Sequence, residues 1–231
     1  NKNTHKTKNG VYLQIGNVAK VALGASGSTA IGVNSAVSSV NSLALGTSAS
    51  IDANSASSIA QGNAAKITYG QYALAIGNGA KVNGASGNGS QGSMAIGNGA
   101  VIAAGAADAI AQGTGASATG ANDVAIGNTA LATGNVAASA GSATAIGYLA
   151  KATVSGGTAV GSAANATAQG ASAFGGSAVA SAPYTTALGY GAKASGQYAA
   201  TVGGTASGQF TVAVGNGSTA SNYAATAVGN N

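Results

Sequence analysis

The sequence predicts an all-β protein, a parallel β-solenoid with coils of about 14 residues. A four-residue motif recurs along the chain: one larger residue, alanine, one aliphatic residue and glycine, as in Leu74–Gly77, Val124–Gly127 and Val212–Gly215. The closing glycines are most often 14 residues apart, and the series continues to the last residues. A short repeat that persists through 231 residues is typical of a repeat architecture and not of a globular core.

Each motif alternates as a β-strand does, because side chains two residues apart share one face of a strand. The residues three and one before each glycine therefore form a bulky face, and the alanine between them points the other way. A second half-coil follows, as in Thr129–Gly134, where Ala130 and Ala132 share a face. Two short strands per coil, joined by Gly, Asn and Ser turns, predict parallel strands that stack about 4.8 Å apart.

The bulky face predicts an oligomer. Alanine inside both strands would leave a thin interior, so Ile, Leu and Val side chains point outward as a continuous apolar stripe. Monomers rarely expose so large an apolar patch, and a closed symmetric assembly would cover it. The residues predicted at this subunit interface are Ile76, Ile96, Ile126, Ile146, Val160, Leu188, Val214, Gln61 and Gln112.

Two of these positions interrupt the stripe. Gln61 and Gln112 stand where the other units have an apolar residue. We expect the glutamines of all subunits to meet at the oligomer axis, where buried amides need partners and oppose slippage of the register. The alternative is that each glutamine turns outward at a distorted coil.

Lysines recur at one position of the coil, four residues after a repeat glycine and directly after an alanine. Alternation predicts the alanine inside and the lysine outside. The resulting basic ribbon is a candidate surface for acidic ligands, and the alternative is a role in solubility and edge protection. These lysines are Lys20, Lys66, Lys81, Lys151 and Lys193.

Two coils have 20 residues, and their surplus falls near residues 84–92 and 135–141. Insertions in solenoids become loops on one face and often carry binding, which makes Asn88, Gln91 and Asn135 candidate ligand contacts. The alternative is a tolerated surface extension, because lengthening a loop costs little.

Aromatic residues keep a second register. They stand five residues before a repeat glycine, and we expect them on the bulky face at the margin of the subunit interface. Ligand binding by exposed tyrosines is the alternative. These residues are Tyr72, Tyr184, Tyr198 and Phe210.

The composition predicts no enzyme, cofactor or metal site. The chain has no Cys, one histidine (His5), and three carboxylates (Asp52, Asp108 and Asp123) scattered over different coils. The net charge is +5, yet Lys and Arg are too sparse for a nucleic-acid interface. No uncharged apolar run is long enough for a membrane-spanning helix, so we expect no membrane insertion by this chain.

The units from about residue 11 to residue 231 resemble the YadA-like head of trimeric autotransporter adhesins. Ala121–Gly127 and Ser142–Gly147 match the repeat of that family closely. The resemblance implies a left-handed parallel β-roll, assembled side by side as a homotrimer at the tip of a fibre anchored in a bacterial outer membrane. It also implies binding to host extracellular matrix or cell-surface proteins, and attachment of cells to one another.

The resemblance leads us to expect a basic polar tail at residues 1–10 and a single β-roll head at residues 11–231. The family's neck, stalk and membrane anchor have no counterpart here, so we expect a fragment of a longer protein. Two other functions fit a solenoid less well. A left-handed β-helix acyltransferase needs a six-residue period and a histidine within the coils, and an ice-binding solenoid needs a regular threonine array.

Overall fold

The computed structural model describes residues 4–7, 10–87, 89–134 and 142–230. These residues form strands, turns and bends, and they contain no helix that could cross a membrane. The chain divides into two compact units, Asn1–Asn122 and Asp123–Asn231. In each unit two strands per coil build two sheets, which confirms the parallel β-solenoid with coils of about 14 residues.

The first sheet of unit 1 contains β1 and the even-numbered strands. They are β1 (Thr4–Thr7), β2 (Gly10–Ile15), β4 (Thr29–Ile31), β6 (Leu43–Leu45), β8 (Ile59–Gln61), β10 (Leu74–Ile76), β12 (Met94–Ile96) and β14 (Ile110–Gln112). The second sheet contains β3 (Lys20–Val21), β5 (Ala36–Val37), β7 (Ser50–Ile51), β9 (Lys66–Ile67), β11 (Lys81–Val82), β13 (Val101–Ile102) and β15 (Ser117–Ala118).

Unit 2 repeats this arrangement. Its first sheet contains β16 (Val124–Ile126), β18 (Thr144–Ile146), β20 (Thr158–Val160), β22 (Ser172–Phe174), β24 (Thr186–Leu188), β26 (Ala200–Val202), β28 (Val212–Val214) and β30 (Thr226–Val228). Its second sheet contains β17 (Leu131–Ala132), β19 (Lys151–Ala152), β21 (Asn165–Ala166), β23 (Val179–Ala180), β25 (Lys193–Ala194), β27 (Thr205–Ala206) and β29 (Thr219–Ala220).

Successive coils pair in parallel and in register, so each motif position becomes a straight row along the unit. Ala75 lies between Ala60 and Ala95 on the neighbouring strands. The N-terminal strand is different: β1 pairs antiparallel with β2, with His5 opposite Tyr12. The repeat did not predict this strand, because residues 4–7 contain no copy of the motif.

The middle residue of each first-sheet strand points into the roll, as predicted. Ala75, Ala95 and Ala125 are fully buried, while the residues that flank them are only half-buried. The second sheet differs between the units. In unit 1 its inward residue is Val or Ile from β3 to β13, with Ile67 and Val82 fully buried, and alanine only in β15, whereas in unit 2 every such residue is alanine. The expectation of alanine on both inner faces is therefore correct for unit 2 and wrong for β3 to β13 of unit 1.

The repeat glycines are required by the way the coils stack. Gly77 has φ +130°, a conformation that side chains other than glycine rarely adopt. A Cβ added there would collide with the carbonyl group of Gly97 in the next coil. The same backbone contact recurs from coil to coil, which explains why glycine closes the motif.

A row of buried hydroxyl groups lines the turn that leads into the first sheet. Ser58 donates from Oγ to the Gly70 carbonyl oxygen at 2.7 Å and accepts from the Ala73 N–H at 3.0 Å. In unit 2, Thr185 Oγ1 donates to the Ala182 carbonyl oxygen at 2.7 Å. Such side chains form hydrogen bonds with backbone groups that are not paired within the short strands. The turn can therefore be buried without unpaired polar groups.

Candidate functional site

The residue directly before each repeat glycine forms a row on the outward face of the first sheet, and we call it the outer apolar row. Register pairs join Ile31 to Leu45 and Ile76 to Ile96 in unit 1, and Phe174 to Leu188 in unit 2. The predicted interface residues Ile76, Ile96, Ile126, Ile146, Val160, Leu188 and Val214 all belong to this row.

These side chains are incompletely covered within one chain. Leu188 and Val202 are 46 % exposed, and Val228 is 75 % exposed. The other outward row, two residues before the outer apolar row, is also apolar in unit 1 at Leu74 and Met94, so both outward rows of that sheet are apolar there. The structure therefore places a long apolar face on the outside of each roll, as the motif predicts.

Both glutamines lie in the outer apolar row. Gln61 stands between Leu45 and Ile76, and Gln112 is paired with Ile96. Both side chains are exposed in the single chain. Both strands pair with their neighbours in the normal register, so the coils are not distorted at these positions. The two amides point outward because the third residue of each first-sheet strand does.

The five lysines of the basic ribbon each occupy the first, outward position of a second-sheet strand, and all five are exposed. The alanines before them are buried, as predicted. Lys66 and Lys81 are register partners on adjacent strands, which brings two ammonium groups to neighbouring positions on an exposed sheet. Like charges directly opposite each other are mildly destabilising, so solvent must separate them.

A shallow hollow of about 170 Å³ lies beside Lys151 on the second sheet of unit 2. Leu149, Ala163 and Asn165 line it, and Asn165 is the register partner of Lys151. The Asn165 Oδ1 atom is buried without a hydrogen-bond partner among the described residues. Because that atom has almost no accessible surface, the hollow offers a ligand the Lys151 ammonium group but not the Asn165 acceptor.

The loop candidates are only partly described. Gln91 is exposed, and its carbonyl oxygen accepts a hydrogen bond from the Asp108 N–H at 2.8 Å. Asn88 and Asn135 lie outside the described residues. Their role as ligand contacts therefore stays a prediction.

Asp123 holds the ends of the second insertion together. Its carboxylate is fully buried and accepts from the Gly134 N–H at 2.8 Å and the Ala143 N–H at 2.7 Å. Gly134 and Ala143 flank the surplus residues of the 20-residue coil. Sequence reasoning treated this residue as one of three scattered acids. The sequence signal for this role is the position of Asp123 directly before β16, from which one carboxylate can accept backbone N–H groups at both ends of the insertion.

The aromatic residues do not lie on the strand face, so that part of the prediction was wrong, whereas their position at the margin of the subunit interface stays a prediction. Tyr72, Tyr184, Tyr198 and Phe210 occupy the turn before a first-sheet strand, with φ between +55° and +59°. This left-handed conformation takes them out of the alternation of the strand. In unit 2 they stack on one another, with ring centroids 5.4 Å apart for Tyr184 and Tyr198.

The carboxylates that the structure describes lie on separate coils. Within the described residues, no group of three or more His, Cys, Asp or Glu side chains is placed to hold a metal ion. Asp52 accepts from the backbone N–H of Tyr69 and from Ser55 Oγ, which is a turn-forming role.

A profile of the family described as "YadA head domain repeat (2 copies)" matches residues 24–49, 104–135, 138–164, 166–192, 180–200 and 206–231. These segments span more than half of the chain and include coils of both units. No curated protein matched the chain. With its inward alanines and glycine-closed parallel coils, the chain belongs to the YadA head domain repeat family.

Proposed function

We propose that this chain is the adhesive head of a trimeric surface protein, displayed at the tip of a fibre anchored in a bacterial outer membrane. Its role is to bind host extracellular matrix or cell-surface proteins and to hold cells to one another, without catalysing a reaction. Membership of the YadA head family carries the proposal, because proteins of this family form homotrimers and bind host proteins.

The outer apolar row supports an assembly of several copies, and the family supplies the number three. One chain leaves the apolar members of this row half-buried or exposed along the first sheet of each unit, and an uncovered apolar face of that length needs a partner. A second and third copy supply the same face, so a closed arrangement leaves no copy uncovered. The interface then contains Ile76, Ile96, Leu188 and Val214 together with the two glutamines.

The second sheet faces away from this interface and is the surface left for a ligand. Its outward row carries the basic ribbon, and the three copies together present fifteen of these lysines around the fibre. Host proteins with acidic surfaces fit this charge. The insertion residues Asn88, Gln91 and Asn135 are proposed to add contacts beside the ribbon.

A binding screen tests the proposal most simply. Purified trimer is immobilised and exposed to collagen, fibronectin, laminin and host cells, with an unrelated β-rich protein of similar net charge as the control. We expect saturable binding to at least one matrix protein. Failure to bind any of them, and failure to aggregate head-coated beads, would contradict the adhesive role.

Paired lysine variants test the ribbon. Replacing Lys66 and Lys81 by Gln removes two adjacent charges, whereas replacing Lys151 and Lys193 removes two charges that are not register partners. If the ribbon binds the ligand, the first variant should weaken binding more at low salt, and the difference should shrink at high salt. Equal, small effects would assign the lysines to solubility.

A further inference from the structure

Bulky aromatic residues occupy a strained position in three successive coils of unit 2. Tyr184, Tyr198 and Phe210 have φ of +58°, +59° and +58°. Large side chains are uncommon in this left-handed region, and the equivalent positions in unit 1 include the small residues Asn41 and Ser57. A repeated outlier of this kind needs a compensating interaction.

The three rings form a ladder. Tyr184 and Tyr198 stack at 5.4 Å between centroids with 9° between planes, and Tyr198 and Phe210 stack at 5.1 Å with 4°. Tyr223 extends the ladder by an edge contact to Phe210 at 5.7 Å. Stacking offsets part of the backbone strain. It leaves the outer edges bare, because Tyr184, Tyr198 and Phe210 remain 46–49 % exposed.

The ladder borders the outer apolar row. The turns that hold Tyr184, Tyr198 and Phe210 lead directly into β24, β26 and β28. Those strands carry the exposed members Leu188 and Val202 of the row. The ladder is thus a lateral continuation of the face that the proposed homotrimer covers.

The opposite end of β24 carries another exposed tyrosine. Tyr190 follows β24 and is 85 % exposed. Both tyrosines that flank β24 lie over a glycine of the preceding coil. A Cβ added to Gly170 would lie 2.9 Å from Tyr184 Cδ1, and one added to Gly176 would lie 3.2 Å from Tyr190 Cδ2. Both rings therefore cover the backbone of the same preceding coil, so they lie at the same height along the axis of the solenoid.

Symmetry brings these two tyrosines together. When three copies turn their first sheets toward one axis, the turn before a strand in one copy meets the turn after the same strand in the next copy. We propose that the aromatic ladder of one copy receives Tyr190 of the neighbouring copy, forming an aromatic seam at each subunit boundary. This proposal rests on the homotrimer of the proposed function.

Cysteine crosslinking tests the seam, because the natural chain contains no cysteine. Tyr184 and Tyr190 lie beyond opposite ends of the three-residue strand β24, and the residues that directly flank this strand are about 13 Å apart, so Cys at both positions cannot pair within one chain. Mild oxidation of the variant Tyr184→Cys/Tyr190→Cys should give covalent dimers and trimers that return to monomer with reductant. The control, Tyr190→Cys/Tyr223→Cys, places its cysteines three coils apart, about 14 Å, and should stay uncrosslinked.

Three outcomes decide the matter. Covalent trimers in the first variant alone support the seam. A first variant that sediments as a trimer under reductant but does not crosslink overturns the seam and leaves the homotrimer standing. An unmodified chain that sediments as a monomer overturns both.

A second pair of variants keeps the test independent of cysteine. Tyr198→Asn removes the middle of the ladder, and Tyr72→Asn removes the lone aromatic at the same turn position in unit 1. Asparagine adopts this backbone easily, so strain is relieved in both. Tyr198→Asn should raise the dissociation constant of the trimer by about tenfold, and Tyr72→Asn should not. Equal effects of the two changes would overturn the seam.

Discussion

At the scale of single residues, glycine sets the geometry of the coil in two different ways. Gly77 closes its motif at φ +130° with the next coil's backbone against it, whereas Gly79 lies in the following turn at φ +64° with open space around it. Ala64 occupies the turn position of Gly79 one coil earlier, with φ +54°. The two positions therefore tolerate a side chain very differently.

We expect Gly77→Ala to lower the free energy of unfolding by about 2–5 kcal/mol, because the added Cβ brings both backbone strain and a collision. Gly79→Ala, the matched control, should lower it by only about 1 kcal/mol. Urea unfolding at one fixed protein concentration measures both values. Similar values for the two variants would contradict the role assigned to the closing glycine.

Asp123 is the residue whose structural role the sequence did not predict. Its buried carboxylate accepts the N–H groups of Gly134 and Ala143, so Asp123→Ala should lower the free energy of unfolding by about 2–4 kcal/mol. Asp123→Asn keeps one acceptor oxygen, so its free energy of unfolding should lie between those of the unmodified chain and of Asp123→Ala. The exposed Asp108 provides the control, and Asp108→Asn should change stability by less than about 0.5 kcal/mol. An unchanged urea midpoint for Asp123→Ala would refute the clamp.

At the scale of strands and turns, alternation predicted the sheets well. A three-residue strand with alanine in the middle leaves one inward and two outward side chains, and the structure has this arrangement in β10, β12 and β16. The aromatic turns could not be predicted in this way. Alternation predicts a continuous strand unless a residue such as Gly or Pro marks its end. Tyr184 and Tyr198 end the alternation through their positive φ, and a tyrosine does not indicate that conformation in the sequence.

Gln61 tests whether the outer apolar row is a buried interface. If three Gln61 amides meet between subunits, each must be paired there, and an unpaired amide would cost about 1–3 kcal/mol. Gln61→Leu should therefore preserve or raise the thermal midpoint of the trimer. It should also give a mixture of aligned and staggered trimers after refolding, separable by native electrophoresis, because a polar layer no longer fixes the register.

Gln91 supplies the control, since it is exposed in the first insertion and lies outside the row. Gln91→Leu should leave both the thermal midpoint and the native electrophoretic pattern unchanged. A lower thermal midpoint for Gln61→Leu, or a single aligned species after refolding, would argue that Gln61 does not form a register-setting layer.

At the scale of the whole molecule, the repeat predicted the architecture and the apolar faces, because spacing and residue class recur in every coil. It did not predict the difference between the units. Ile67 and Val82 fill the interior of unit 1, while Ala152 and Ala166 take their place in unit 2. A motif defined by its first strand contains no information about the inward residue of the second strand.

Sedimentation equilibrium of the unmodified chain at micromolar concentration tests the central claim most directly. That claim is that the outer apolar row is covered by two further copies of the same chain. We predict a single species of about three times 21.1 kDa that stays intact in the micromolar range. A stable, well-folded species of 21.1 kDa would contradict the account.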